Sequence, residues 1–358
     1  MNPGRRTAPL LRLVLLLCLL SSWAGCRTGS TPAVRREFTA TRMGMPWRIV
    51  LYAASDREAE EAADAAWNRI TELNRILSDY EPDSELSRLS RSSGSGTDVP
   101  VSEDLFRVLE RSEQVSRAGD GSFDITVGPF VDVWKRARRQ RALPDASRIA
   151  AARDACGWTN VVLGRDAQGR RTARLLRPGM RLDPGGIAKG YAIGEATKVL
   201  RSRGITRSLV SGGGDLYAAS SPPGESGWIV TVGLLDLTNA PPGRRVRLRD
   251  RALVTSGDLF QRVEIGGVRY SHIVDPRTGQ ALTDHSQVSL VGRDPMTLDA
   301  LSKVLSVLGP TRADALCRRF DIDALLFRAP DGRLSVHETP GWRRNETDSR
   351  SGTPEASR

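Results

Sequence analysis

Apolar residues recur at helical spacing over 57–78. Ala66, Ile70, Leu73 and Leu77 fall four, three and four apart with Glu and Arg between them, which predicts an amphipathic helix. A second helix is predicted from Ser102, an N-cap residue followed by Glu103 and Asp104, with Leu105, Val108, Leu109 and Val115 facing inward and a stop at Ala118-Gly119. LPDASRIAAARDA reads as a short helix, 187–203 as a longer one ending at Gly204, and TLDALSKVLSVLG as another ended by Gly309-Pro310. Between them lie strand patterns. TRMGMPWRIVLYAA (41–54) reads as a strand entered through a Met-Gly turn, and ITRSLVS, GWIVTVG and QVSLVG as further strands. Hairpins are predicted in ARLLRPGMRLD at Pro178-Gly179, in VEIGGVRYSHI at its two glycines, and in ALLFRAPDGRLSVHET. SDYEPDSELSRLS and RSSGSGT read as loops. Strands outnumber what a strict βαβ rhythm gives and no repeat is present, so the fold class is α+β with substantial antiparallel sheet.

The ends of the 358-residue chain depart from this pattern. Residues 1–26 carry an arginine pair, an apolar run from Leu10 to Leu20, and then small residues ending in Ala24-Gly25-Cys26. That is the layout of a secretory signal peptide, too short for a bilayer span, and its last residues resemble a bacterial lipobox. The expectation is an exported lipoprotein held to a membrane through lipidated Cys26 and facing the periplasm. Residues 27–40 read as a linker, 41–340 as the folded domain, and the polar 341–358 as a disordered tail.

Composition changes the picture little. The net charge is +11, but all except four of the 53 cations are arginines spread along the chain. Only WKRARRQR (134–141) is dense, with a single aromatic, so nucleic-acid binding is not expected. Cys156 and Cys317 sit in no metal spacing and are expected as buried free thiols.

The chain lacks GxxxxGK[ST], GxGxxG after a strand, HExxH and CxxC, so the usual nucleotide loops and structural zinc are not expected. His272 and His285 have no nucleophile elbow to serve. GGIAKG (185–190) does place free backbone N–H groups and Lys189 at a helix start, which suits anionic oxygens. Glycines there also serve packing, and GGGD (212–215) reads first as a turn.

The order of the glycine-rich segments says more. MGMPW, LSDYEPDSELSRL, GDGSFDITVGPFVDVW, RLDPGGIAKGYAIGEA, SLVSGGGDLYAA, ALVTSGD, RYSHIVDPRTGQAL and MTLDALSKVLSVLG follow one another over about residues 40–330. Together they resemble the ApbE family of flavin transferases. Gly121 to Trp134 meets the family pattern GaFDpTvgplvdlW, Asp183 onward meets DlggiaKGyavd, and Tyr270 to Gly279 meets ysHiiDPrtG. The resemblance implies an α+β, T-fold-related domain of mixed and antiparallel sheets flanked by helices. It also implies an exported enzyme that uses FAD and Mg²⁺ and moves FMN onto a Thr or Ser hydroxyl of a partner, releasing AMP. The partner would be a subunit of a membrane redox complex. Carried onto this sequence, the FAD contacts are Met43, Tyr80, Ser122, Phe123, Asp124, Asp183, Lys189 and Ile273. The metal contacts are the Gly186 carbonyl and the Asp299 carboxylate, and Asp275 and His272 are the nearest candidates for the base.

Some positions break the pattern. Lys303 stands where the family's third metal ligand is a threonine, one turn after Asp299, so its ammonium is expected either to pair with Asp299 and repel Mg²⁺ or to take over the metal's charge role without its geometry. Ser90 replaces an asparagine, Met45 a threonine, and Phe260 and Gln261 a tyrosine and an acidic residue. Besides FMN transfer, two readings stay open: an exported FAD-binding protein without transferase activity, and an FAD pyrophosphatase.

Overall fold

A computed structural model describes residues 33–233, 243–257, 262–330 and 333–347. The signal segment with Cys26, Phe260, Gln261 and the last residues of the expected tail lie outside it.

Among the described residues the centre is an eight-stranded sheet, antiparallel at every pairing. Its order is β1 (Val34–Arg42), β2 (Met45–Ala53), β6 (Ser208–Gly212), β7 (Asp215–Ala218), β10 (Arg251–Gly257), β15 (Ser286–Gly292), β16 (Asp323–Arg328) and β17 (Ser335–Glu338). The two-residue alternation of β2 divides its side chains between two cores. Trp47, Ile49 and Leu51 face a layer of helices, while Val50 faces a smaller core with Trp228, Phe327 and Trp342. The helices on the first face are α1 (Asp56–Leu77), α3 (Glu103–Ala118), α6 (Ala188–Ser202) and α7 (Pro295–Leu308). Ser55 and Ser102 cap α1 and α3 by accepting from Glu58 N and Leu105 N. The ribbon of β8 (Trp228–Val232) and β9 (Arg244–Leu248) contributes to the second core.

Four expectations are corrected. The linker 27–40 is a strand from Val34 onward, paired with β2 through a turn in which Met43 and Gly44 both have positive φ. As an edge strand with charges on both faces, VRREFTATR has only Phe38 and Ala40 as a short apolar alternation. The hairpin of this region runs from β4 (Val161–Arg165) to β5 (Arg171–Leu175), not through Pro178-Gly179. The residues after that turn are instead drawn off, Leu182 N to Ser90 Oγ and Asp183 N to Ile125 O. SELSRLS, expected within a loop, is instead α2 (Glu85–Arg91), capped by Ser84 accepting from Ser87 N, whereas Gly309-Pro310 ends α7 as expected and Pro310 then opens α8 (Pro310–Phe320). The tail starts later than Gly341: Trp342 is fully buried and its indole donates to Glu346, which also pairs with Arg244.

Two more helices explain why distant motifs occur together. α4 (Gly128–Gln140) and α5 (Ala146–Asp154) form a third core with Cys156, Val274 and Ala281. Trp134 Nε1 donates to the carbonyl of Gly279 at 2.9 Å. Gly279 has φ +74°, and a Cβ there would lie 2.3 Å from the Phe130 ring. The FVDVW helix and the DPRTG turn are therefore one packing unit. Cys156 and Cys317 are both free and buried, and burial pushes each thiol up to about 12. Gly279→Ala combines overpacking with left-handed strain and is expected to cost about 2–4 kcal/mol in urea unfolding. A loss below half that would show that the turn does not rest on Phe130.

Candidate functional site

The chemistry gathers where α6 starts. The chain reaches α6 through Asp183-Pro184-Gly185-Gly186, with Asp183 Oδ1 accepting from Gly185 N at 2.9 Å. Burial, with the Asp79 carboxylate nearby, holds Asp183 above the usual carboxylate range. No side chain of its own segment caps α6. Its cap comes from α7: Asp299 Oδ2 accepts from Gly190 N at 3.0 Å. This contact requires glycine, since a Cβ on Gly190 would lie 2.1 Å from the Pro295 carbonyl oxygen and 2.9 Å from Asp299 Cβ.

Two buried ion pairs follow from that crossing. Lys189 Nζ lies 2.7 Å from Asp215 Oδ2, and Lys303 Nζ lies 3.3 Å from Asp299 Oδ1. Both carboxylate side chains are fully buried. Asp215 Oδ1 also accepts from Thr255 N, and Lys303 Nζ reaches Ser302 Oγ at 3.2 Å. Burial works against the Lys189 ammonium, but Asp215 and Asp299 outweigh it and hold its pKa above the ordinary lysine value. Burial pushes Asp215 upward, against the pull of Lys189. Glycines bring the walls close: a Cβ on Gly186 would touch Lys303 Cγ and Phe123 Cε2, each at 3.1 Å, and one on Gly213 would lie 2.7 Å from Met45 Sδ.

A second group flanks this cluster. Tyr80 is 77 % exposed, with Lys135 Nζ 4.6 Å from its ring centroid. Lys135 and Arg181 both approach Asp79, at 3.8 and 3.3 Å. In the third shared segment, Ile273 is buried and donates from its N–H to Ser271 Oγ. His272 beside it is half-buried.

Comparison with known proteins identifies this arrangement. The family model described as ApbE family matches residues 43–326. The FAD:protein FMN transferase of Treponema pallidum is 30 % identical over 336 residues, 90 % of this chain and 92 % of that protein. The FAD:protein FMN transferase of Klebsiella pneumoniae is 30 % identical, covering 84 % of this chain and 87 % of its own. The chain belongs to the ApbE family. The solved Flavin Transferase ApbE from Vibrio cholerae superposes with a TM-score of 0.77 at 25 % identity, covering 88 % of this chain and all of that one. The Pseudomonas stutzeri flavinyl transferase ApbE, in apo form, gives 0.77 at 26 %, with 88 % and 97 % covered.

The residues carried over from the ApbE family do not all stand free for a ligand. Phe123, Gly186, Lys189 and Asp299 meet in the cluster, and Met43 packs beside the main core. Ser122 Oγ donates to Gly119 O. Asp124 accepts from Thr126 N, Thr126 Oγ1 and Trp158 N, so both side chains hold the loop rather than reach outward. Burial raises Asp124 despite those donors. Asp275 is held by Arg277, which donates to both its oxygens, from Nε at 2.9 Å and Nη2 at 2.8 Å, and from its backbone N–H within the DPRTG turn. Asp215 and Lys135 were missed as site residues. The signal for Asp215 was an aspartate opening a strand whose residues are all buried, and Lys135 lay inside the basic run 134–141, weighed only for nucleic-acid binding.

A cleft of about 590 Å³ runs along the opposite side of α6, lined by Arg107, Tyr191, Glu195 and Arg201 among others. It is a different place. Several of its charges are already paired, Arg107 with Glu103, Lys198 with Glu195 and Arg201 with Asp250, and of the cluster's residues only Gly190 lines it.

The residues present do not fit Mg²⁺. The ion wants about six oxygens at close to 2.1 Å. Among the described residues no three His, Cys, Asp or Glu stand together, and one Asp299 oxygen serves Gly190 while the other faces an ammonium. A divalent ion about 4 Å from that ammonium meets a repulsion of about 8 kcal/mol at an effective dielectric constant near 20.

Lys189→Met leaves Asp215 buried without its counter-ion and is expected to destabilise the protein by about 3–5 kcal/mol. Pairing it with Asp215→Leu should recover most of that in the same denaturation experiment. A double-variant loss equal to the sum of the Lys189→Met and Asp215→Leu losses would show that the pair carries no coupling.

Proposed function

We propose that this chain transfers the FMN half of FAD to a Thr or Ser hydroxyl of a flavoprotein acceptor and releases AMP. The observation that carries the reading is convergence. The glycine turn, Phe123, Lys189 and the Asp299 helix, taken from three family segments, meet at one wall of paired charges. Full-length likeness to FAD:protein FMN transferases supports it.

In this reading the acceptor oxygen attacks the phosphorus of the FMN half, the pyrophosphate P–O bond breaks, and AMP leaves with the electron pair. His272, half-buried in the RYSHIVDPRTG segment, takes the hydroxyl proton. Lys189 offsets charge on non-bridging oxygens. Tyr80, braced by Lys135, stacks on a ring of FAD. No step is assigned to Mg²⁺. Export, lipidation at Cys26 and an acceptor in a membrane redox complex belong to the same proposal, supported by the Leu10–Leu20 run and the Ala24-Gly25-Cys26 ending.

Incubation of the protein with FAD and a threonine-bearing redox subunit should give flavin fluorescence on the acceptor in a denaturing gel. FAD held tightly with no label on any acceptor would favour the binding-protein reading, and AMP and free FMN would favour the pyrophosphatase. Tyr80→Ala should weaken FAD binding by about 1–3 kcal/mol. His272→Gln should slow transfer roughly 10²–10⁴-fold while FAD affinity is retained. Equal loss of binding and transfer in that variant would make His272 a contact rather than the base.

A further inference from the structure

We propose that the Lys303 ammonium is the site's resident cation: it takes the seat beside Asp299 and Gly186, binds the FAD pyrophosphate there, and makes transfer independent of divalent metal. The proposal rests on the transferase reading for its chemistry, but its geometry stands alone. The Lys303 stem lies against Gly186, and its side chain is only 18 % exposed. The ammonium has three donors. Asp299 Oδ1 and Ser302 Oγ take two of them, which leaves one for an arriving oxygen on the side still open to solvent.

Charge balance points the same way. Asp215 and Asp299 are matched by Lys189 and Lys303, so the cluster is neutral before any ligand enters. A divalent ion would have to displace Lys303 from a carboxylate that is fully buried, and that carboxylate's other oxygen already holds the start of α6. An anionic pyrophosphate needs no such displacement. Lysine is a point charge without fixed coordination geometry, so it lowers the charge on non-bridging oxygens but does not order water or bridge phosphates as a metal does. During transfer the acceptor O–P bond forms, the pyrophosphate P–O bond breaks, the hydroxyl proton goes to the base, and Lys303 keeps its proton throughout.

The test uses the full chain with FAD, and with Mn²⁺ as the metal probe. Free Mn²⁺ counted by electron paramagnetic resonance should show no stoichiometric binding, with or without FAD. FAD affinity by calorimetry should be the same in EDTA and in MgCl₂. Lys303→Met should weaken FAD binding roughly tenfold to a hundredfold, the size of one charge-assisted hydrogen bond, and added Mg²⁺ should not restore it. Lys303→Thr should bind Mn²⁺ and make FAD affinity depend on the metal. Stoichiometric Mn²⁺ on the unaltered chain that Asp299→Asn removes would overturn the proposal, as would FAD binding abolished by EDTA. These native-chain measurements decide the matter even if a variant fails to fold. Equal FAD binding in EDTA and MgCl₂ without labelling of any acceptor would sink the transferase reading while upholding the cation seat.

Discussion

The hydrogen bond from Gly190 N to Asp299 Oδ2 is the contact on which the site depends. It fixes how closely α6 and α7 cross, and only glycine allows that approach. Because it draws Asp299 out of water, it also creates the need for a cation beside it, which Lys303 meets from one turn along α7. The same crossing sets Lys189, the residue before Gly190, against Asp215 on β7. One backbone amide thus joins the helix layer, the central sheet and the glycine turn.

A buried pair of this kind is expensive to build and adds little net stability. Its value lies in pre-organisation. Two ammonium groups held on carboxylates need no reorganisation when an anionic pyrophosphate arrives, and the field they offer is already aligned. The exposed Tyr80 ring on Lys135 and the DPRTG turn clamped to α4 extend this principle to the flanks. Lys303 changes the character of the site rather than the fold. The fold around it is that of the ApbE family, while the charge that the resemblance assigns to a metal is supplied by a side chain.

Much of this was legible in the sequence wherever the physics is local. The α1 stripe, the Ser102 cap, the two-glycine hairpin and the Lys303–Asp299 pairing follow from periodicity, cap chemistry and helical spacing. What was hidden depends on partners distant in sequence. β1 carries charge on both faces because it is an edge, so alternation could not reveal it. The Pro178-Gly179 turn is real, but the strand after it is claimed by Ser90 and Ile125 instead of by β5. Asp215 looked like part of a turn because its counter-ion lies 26 positions away at Lys189. The hold of Arg277 on Asp275 was hidden too, because it is a matter of rotamer, not of composition.

The central claim is that a lysine, not a divalent ion, stands between Asp299 and the pyrophosphate. A crystal structure of the protein grown with FAD and Mn²⁺, with data collected at the manganese edge, tests it most directly. The account predicts a non-bridging oxygen of FAD within hydrogen-bonding distance of Lys303 Nζ and no anomalous peak beside Asp299. An anomalous peak between the Gly186 carbonyl and Asp299, with the lysine swung away, would contradict it.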